Sequence, residues 1–226
     1  MAIHVTPDSY TKLLIRSDGP NNGQTFIDSS TNGRTLTTVS AVYHEWNPPN
    51  WPPHSGDHYG HGYGTVMQFH GSGDYIHAPQ STDWQFGTGD YTIDFWMNWD
   101  AIVSNEVPIC YGSGDGVEGF KLLFDATNAT WYGGSGIGSL AVAHGLTAGV
   151  WYHWAIVRKS MVVTQYKDGI ALGNSTHTGS MGATTSGTPN LYIGATGNNA
   201  QDWDGFLDEM RISKGIARWT SNFIPP

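Results

Sequence analysis

Alternation of apolar and polar positions dominates this chain. Between residues 90 and 99, Tyr91, Ile93, Phe95, Met97 and Trp99 interleave with Thr92, Asp94, Trp96 and Asn98. Successive side chains of an extended backbone point to opposite faces, so the first set predicts the core face of a strand. Shorter runs of the same kind lie at 11–17, 34–42, 65–70, 74–78, 107–111, 119–124, 130–132, 137–143, 151–158, 162–167, 170–172 and 189–194. Turn chemistry separates them, as at Asp18-Gly19-Pro20-Asn21-Asn22-Gly23, Gly71-Ser72-Gly73 and Lys167-Asp168-Gly169. About a dozen short strands without strand–helix alternation predict an all-β, antiparallel β-sandwich. At 226 residues the chain fits a single domain, 1–226, that opens with an irregular arm over 1–10.

Two stretches depart from the pattern. Residues 43–64, YHEWNPPNWPPHSGDHYGHGYG, are rich in Pro, Gly, His and aromatic residues. That composition predicts a long loop insertion with no regular strand or helix, serving contact or function. In the closing strand, Phe206, Asp208, Met210 and Ile212 fall on one face and Leu207, Glu209, Arg211 and Ser213 on the other. An acid on each face is more than a half-buried strand needs. Ser213 then reads as the cap of a short helical turn over 214–219, weakened by Gly215.

Composition narrows the function. Ten Trp, eleven Tyr and eight Phe supply bulky core material, and thirty Gly supply turns. A net charge of −9, with ten Lys and Arg spread thinly, disfavours a nucleic-acid-binding surface, and no nucleic-acid partner is expected. The acidic excess suits solubility or a hard cation. Cys110 is the chain's one cysteine, so no intrachain disulfide forms, which fits folding in a reducing cytosol. The start, MAIHVTPDSY, lacks the basic and apolar regions of a signal peptide, and no run approaches the roughly 20 apolar residues of a membrane span. A soluble protein with no membrane insertion is expected.

The closing string WDGFLDEMRISKGIARWTSNFIPP, residues 203–226, resembles the concanavalin A-like, laminin-G type jelly-roll family, whose terminal strand reads GxLDExRI. The opening pattern LL…D…F.DSS.NG and the interior strings FHGSGDYIHAP, DWQFGTGDYTIDFWMNW and WYHWAIVRK…YKDGIALG are similar to the same family over 11–42 and 65–226. The continuation SKGIARWTSNFIPP resembles the form found in bacteriophage virion structural proteins. This resemblance implies a laminin-G, concanavalin A-like jelly roll. It also implies a non-enzymatic capsid decoration or tail-appendage protein, assembled in the host cytoplasm into the virion. Other virion proteins would be its partners, and a homo-oligomer is expected. A carbohydrate-binding, lectin-like adhesion module that attaches to host glycans is the alternative.

Three sets of residues could carry chemistry. Asp18, Asp28, Asn32 and Asp208, with Glu209 in reserve, offer the oxygen ligands that calcium takes from loops, and laminin-G relatives often bind calcium near such positions. The same residues also suit Asx turns, with Asp208 paired to Arg211 or to a backbone amide. Trp46, Trp51, His54, His58, Tyr59, His61 and Tyr63 form an aromatic and His-rich contact set for a glycan or a protein partner. His54 and His58 have zinc-pair spacing, but Pro52, Pro53 and Gly56 oppose the helix that spacing requires. Glycoside cleavage needs two carboxyls flanking one bond, and Glu45, Glu106, Glu118 and Glu209 stand apart with no ExDxxE string. No enzyme is expected. The GxGxxG string at 114–119 leads into strand-like FKLLF rather than a helix, which removes dinucleotide binding.

Overall fold

The computed structural model describes residues 5–46, 48, 64–102, 105–112, 119–134, 137–182 and 189–226. Its strands are β1 (Thr11–Ile15), β2 (Thr37–Val39), β3 (Tyr43–Glu45), β4 (Val66–His70), β5 (Tyr75–Ala78), β6 (Tyr91–Trp99), β7 (Glu106–Tyr111) and β8 (Phe120–Phe124). They continue with β9 (Asn128–Tyr132), β10 (Ser139–Ala143), β11 (Trp151–Lys159), β12 (Val162–Lys167), β13 (Ile170–Thr176), β14 (Leu191–Ile193) and β15 (Asp204–Lys214). Sheet A has the order β13-β12-β11-β6-β15-β4-β3, with β1 also paired to β15, and sheet B the order β10-β9-β8-β7-β14-β5-β2. Every pairing is antiparallel, as alternation without crossover helices dictates.

The core lies between the sheets. Ile93, Phe95, Met97 and Trp99 of β6 meet Leu122 and Phe124 of β8, Trp131 of β9 and Trp154 of β11, all buried in one cluster. The β12–β13 hairpin turns through Asp168 (φ 49°) and Gly169 (φ 76°), the paired left-handed residues that a two-residue hairpin requires. Among the described residues a single 3-10 turn, Thr82–Trp84, is capped by the side chain of Ser81. No helix among the described residues is long and apolar enough to cross a membrane.

The strand expectations hold in type and order, with three local corrections. Residues 43–45 form β3 and pair with β4, because Tyr43 and Glu45 find partners in Gln68 and Val66 before the Pro-rich stretch begins. Residues 215–219 form no helical turn. The hydroxyl of Thr92 donates to Ile216 O and accepts from Arg218 N, which holds that segment along the sheet. In β15 the face assignment changes at Glu209, whose φ of 48° marks a bulge between Asp208 and Arg211. A bulge adds one residue and reverses the parity beyond it. Leu207, Met210 and Ile212 therefore share the core, while Phe206 packs in a separate cluster with Val66, Trp96 and Trp151.

Beyond Lys214 the chain straps the outer surface of sheet A. Ala217, Trp219 and Phe223 pack on Ala155, Val157 and Tyr166. Asn222 accepts from Ala171 N, and Phe223 N donates to Gly169 O. Phe223 O crosses so near Gly169 that a Cβ there would collide with it. Arg218 clamps the strap to the start of the chain through two bonds to Asp8 and one to Thr11.

Candidate binding surface

The pairing of β1 with β15 brings the expected calcium residues to one region, and their contacts are mostly with the protein itself. Asp28 Oδ1 accepts from Leu14 N and Ser30 N, while Oδ2 accepts from Ser30 Oγ and Arg34 N. Asn32 donates through Nδ2 to Lys12 O. Asp208 Oδ1 accepts from Glu209 N at 2.8 Å and from Ser17 N at 3.4 Å, beside Asp18. These are the bonds of turn and strand anchors, and calcium would have to displace them. Among the described residues, no group of three or more His, Cys, Asp or Glu is placed to hold a metal ion. The donor set does not fit calcium.

His44 is the polar centre of this region. Nε2 lies 3.0 Å from Thr25 O, which can only accept, so that nitrogen carries the proton. Nδ1 then accepts from Ser17 Oγ at 2.6 Å. Burial holds the imidazole below its ordinary pKa, against the opposing influence of Asp18 and Asp208. Gly19 passes so close to the ring that any side chain there would strike it. His44 is thus a satisfied core residue.

Trp46 follows β3 and stands 63% exposed. Its amide donates to Asn21 Oδ1 at 3.2 Å. Trp51, His54, His58, Tyr59, His61 and Tyr63, the rest of the expected contact set, lie outside the described residues.

Two buried acid centres were not singled out by the sequence. On the outer surface of sheet A, Arg211 grips Asp94 through two parallel bonds of 2.9 and 2.7 Å. Burial penalises the Asp94 charge most, but Arg211 and His153 together outweigh it and hold the carboxyl below the usual range. His153 Nε2 stands 3.5 Å from Asp94 Oδ2, an electrostatic contact rather than a good hydrogen bond. Trp96, Trp219 and Phe223 present ring contacts to His153 at 5.3, 5.8 and 5.8 Å. The signal was available: Asp94 and His153 both sit opposite the core residues of long apolar strands.

The second centre is Glu106, which joins the two sheets. Its Oε2 accepts from Trp99 Nε1 at 2.7 Å and from Asp204 N at 2.9 Å. Burial pushes its pKa up to about 7, with Asp204 and Asp100 adding to the rise and the two hydrogen bonds opposing it. Both bonds fall on the same oxygen, and the neighbouring acids are Asp100 and Asp204. The arrangement clamps strands.

Residues 70–218 match the laminin-G family model of the concanavalin A-like lectin/glucanases superfamily, and the chain belongs to that family. None of the curated proteins matches the sequence. Among solved structures, domain 4 of AbnA, a GH43 extracellular arabinanase from Geobacillus stearothermophilus in complex with arabinotriose, is similar at TM-score 0.64 and 15% identity, covering 92% of this chain and 93% of that domain. The binding domain of Paraclostridial Mosquitocidal Protein 1 is similar at TM-score 0.62 and 15% identity, over 92% of this chain and 49% of that one. The receptor binding domain of botulinum neurotoxin D follows at TM-score 0.59 and 15% identity, over 92% and 50%. This chain therefore spans about half the length of the toxin domains it matches. At these identities the likeness establishes the jelly-roll sandwich.

Proposed function

We propose that the chain is a non-enzymatic binding module that recognises saccharide. The observation that carries this reading is the likeness to a complete arabinanase domain seen with arabinotriose, which spans 92% of the chain. The state of the acids supports binding over hydrolysis. Asp28, Asp94 and Glu106 each accept hydrogen bonds that anchor strands or turns, and glycosidases need two carboxyls free to face one bond. The test is a glycan array, probed with the purified chain and including arabino-oligosaccharides. Retention of at least one oligosaccharide class, without its hydrolysis, is expected. Retention of none overturns the reading, and release of shortened sugars overturns its non-enzymatic half.

A second reading places the module on a phage particle, as a capsid decoration or tail appendage working through protein contacts. The closing string SKGIARWTSNFIPP favours it, and its residues form the strap over sheet A. A density map of an intact particle tests it, because the chain would appear there at fixed stoichiometry.

A further inference from the structure

The outer surface of sheet B differs in kind from that of sheet A. Six pairings place one residue from each of its seven strands in a continuous cross-strand row. That row runs Ser139, Tyr132, Lys121, Cys110, Tyr192, His77 and Thr37. Tyr132, Lys121, Tyr192 and His77 are half-buried, and the end residues Ser139 and Thr37 are exposed. Neighbouring strands are about 4.8 Å apart, so the stretch from Tyr132 to His77 is roughly 19 Å long.

Its chemistry is specific. Lys121 Nζ lies over the Tyr132 ring at 5.4 Å and 3.3 Å from Gln201 Oε1. Tyr75 joins Tyr192 and His77, with ring centroids 5.7 and 6.0 Å away, and Asn190 Nδ2 reaches His77 Nδ1 at 3.3 Å. Between these two groups sits Cys110, which is fully buried, so the accessible part of the row is the pair of groups on either side of it. The row contains no acid, although the chain holds nineteen acids against ten Lys and Arg. Rigid tyrosines give contact area at little entropic cost, and amide and ammonium groups beside them give hydrogen bonds to hydroxyls.

We propose that this row is the docking line for an oligosaccharide lying across the strands of sheet B, an inference that rests on the saccharide-binding reading above. Aromatic faces interleaved with neutral polar groups suit a ligand with apolar C–H faces and hydroxyl edges. The absence of carboxylates removes the repulsion that this acidic chain would otherwise offer to uronic or sialic acid units, and Lys121 supplies the one cation for them. The ligand class is thus a neutral or carboxylate-bearing oligosaccharide.

The experiment measures affinity for the oligosaccharide best retained on the glycan array, by titration calorimetry, for the wild type and three variants. Tyr192→Ala and Lys121→Glu are each expected to weaken binding by about tenfold or more, as centrally placed contacts do. Trp46→Ala, remote from the row, is expected to stay within about twofold. Lys121→Glu changes only a half-buried surface side chain, so it decides the matter should Tyr192→Ala fail to fold. Unchanged affinity in both row variants, with binding lost in Trp46→Ala, removes the docking line while the saccharide reading stands. If the wild type retains no oligosaccharide, both fall.

Discussion

The two outer faces of the sandwich are built from the same kind of strand and have opposite fates. In sheet A, β6 is buried at every position, and β15 is buried at all but its two ends. In sheet B the central strand β7 is also buried throughout, but β8, β10 and β5 around it alternate strictly between buried and more exposed positions. Continuous burial in a sheet normally signals helices packed on both faces. Here part of the cover is the chain's own end, whose Trp219 and Phe223 stack at 3.8 Å. The strap spans the buried Asp94–Arg211 pair, and Arg211 lies under the Trp219 ring at 5.6 Å. Sealing one face leaves the other more open to solvent. On the saccharide-binding proposal, architecture and recognition are divided between the two sheets.

The sharpest way to break this contrast is to remove one charge from the sealed face. Arg211→Met leaves Asp94 ionised and buried without its cation, with an expected loss of about 3–5 kcal/mol in urea unfolding. Replacing both, as Asp94→Leu with Arg211→Met, is expected to recover most of that loss, because neither charge then needs solvation. A loss below about 1 kcal/mol for Arg211→Met alone would mean that water reaches this pair.

Glu106 gives the next largest effect, and its sign follows from proton counting. Its pKa rises from 4.5 in the unfolded chain to about 7 in the fold. Between those values the native state binds more protons, so stability declines as pH rises and the decline is complete above about 7. Such a shift corresponds to about 3 kcal/mol across the window. Glu106→Gln keeps an acceptor for Trp99 and Asp204 but cannot ionise. Melting curves at several pH values should show the variant lacking this slope and exceeding the wild type at pH 8. Parallel profiles for the two proteins would show that Glu106 stays ionised in the fold.

Trp219→Ala tests the strap itself. The ring is half-buried, so the expected cost is about 2 kcal/mol, below that of a core tryptophan. Proteolysis under native conditions should then cleave first within 215–226, since the strap has lost its main anchor. Cleavage elsewhere, with no change in this segment, would mean that the clamp of Arg218 on Asp8 holds it unaided.

Much of this was legible in the residues because alternation has one physical cause. The strands and the antiparallel sandwich follow from it. The faces of β15 beyond residue 208 did not, because a bulge at Glu209 is set by tertiary pairing and leaves no local mark on the pattern. The expected calcium set illustrates a second limit. Asp28 and Asn32 have the spacing of both a loop ligand and an Asx turn, and only the partners Leu14, Ser30, Arg34 and Lys12 distinguish them. Glu106 looked isolated in sequence because its partners, Trp99 and Asp204, are brought to it by the fold. The row across sheet B was invisible for a simpler reason: its members come from seven strands, one from each, and run from residue 37 to residue 192, so no single stretch of sequence contains the set.

The smallest expected effect is the one that completes the contrast. Lys121→Ser and Tyr192→Ser change half-buried positions on the open face of sheet B. Lys121 loses a ring contact with Tyr132 and a bond to Gln201, both near solvent. Exposed contacts of this kind contribute little, so Lys121→Ser should alter unfolding free energy by no more than about 0.5 kcal/mol. Tyr192→Ser gives up more packing, against Tyr75 and His77, and should cost about 1 kcal/mol. Losses of 3 kcal/mol or more at these positions would equate the two faces, and the row on sheet B would then be a second structural seam. Small losses in stability combined with large losses in saccharide affinity would instead locate recognition on the sheet that the strap leaves open.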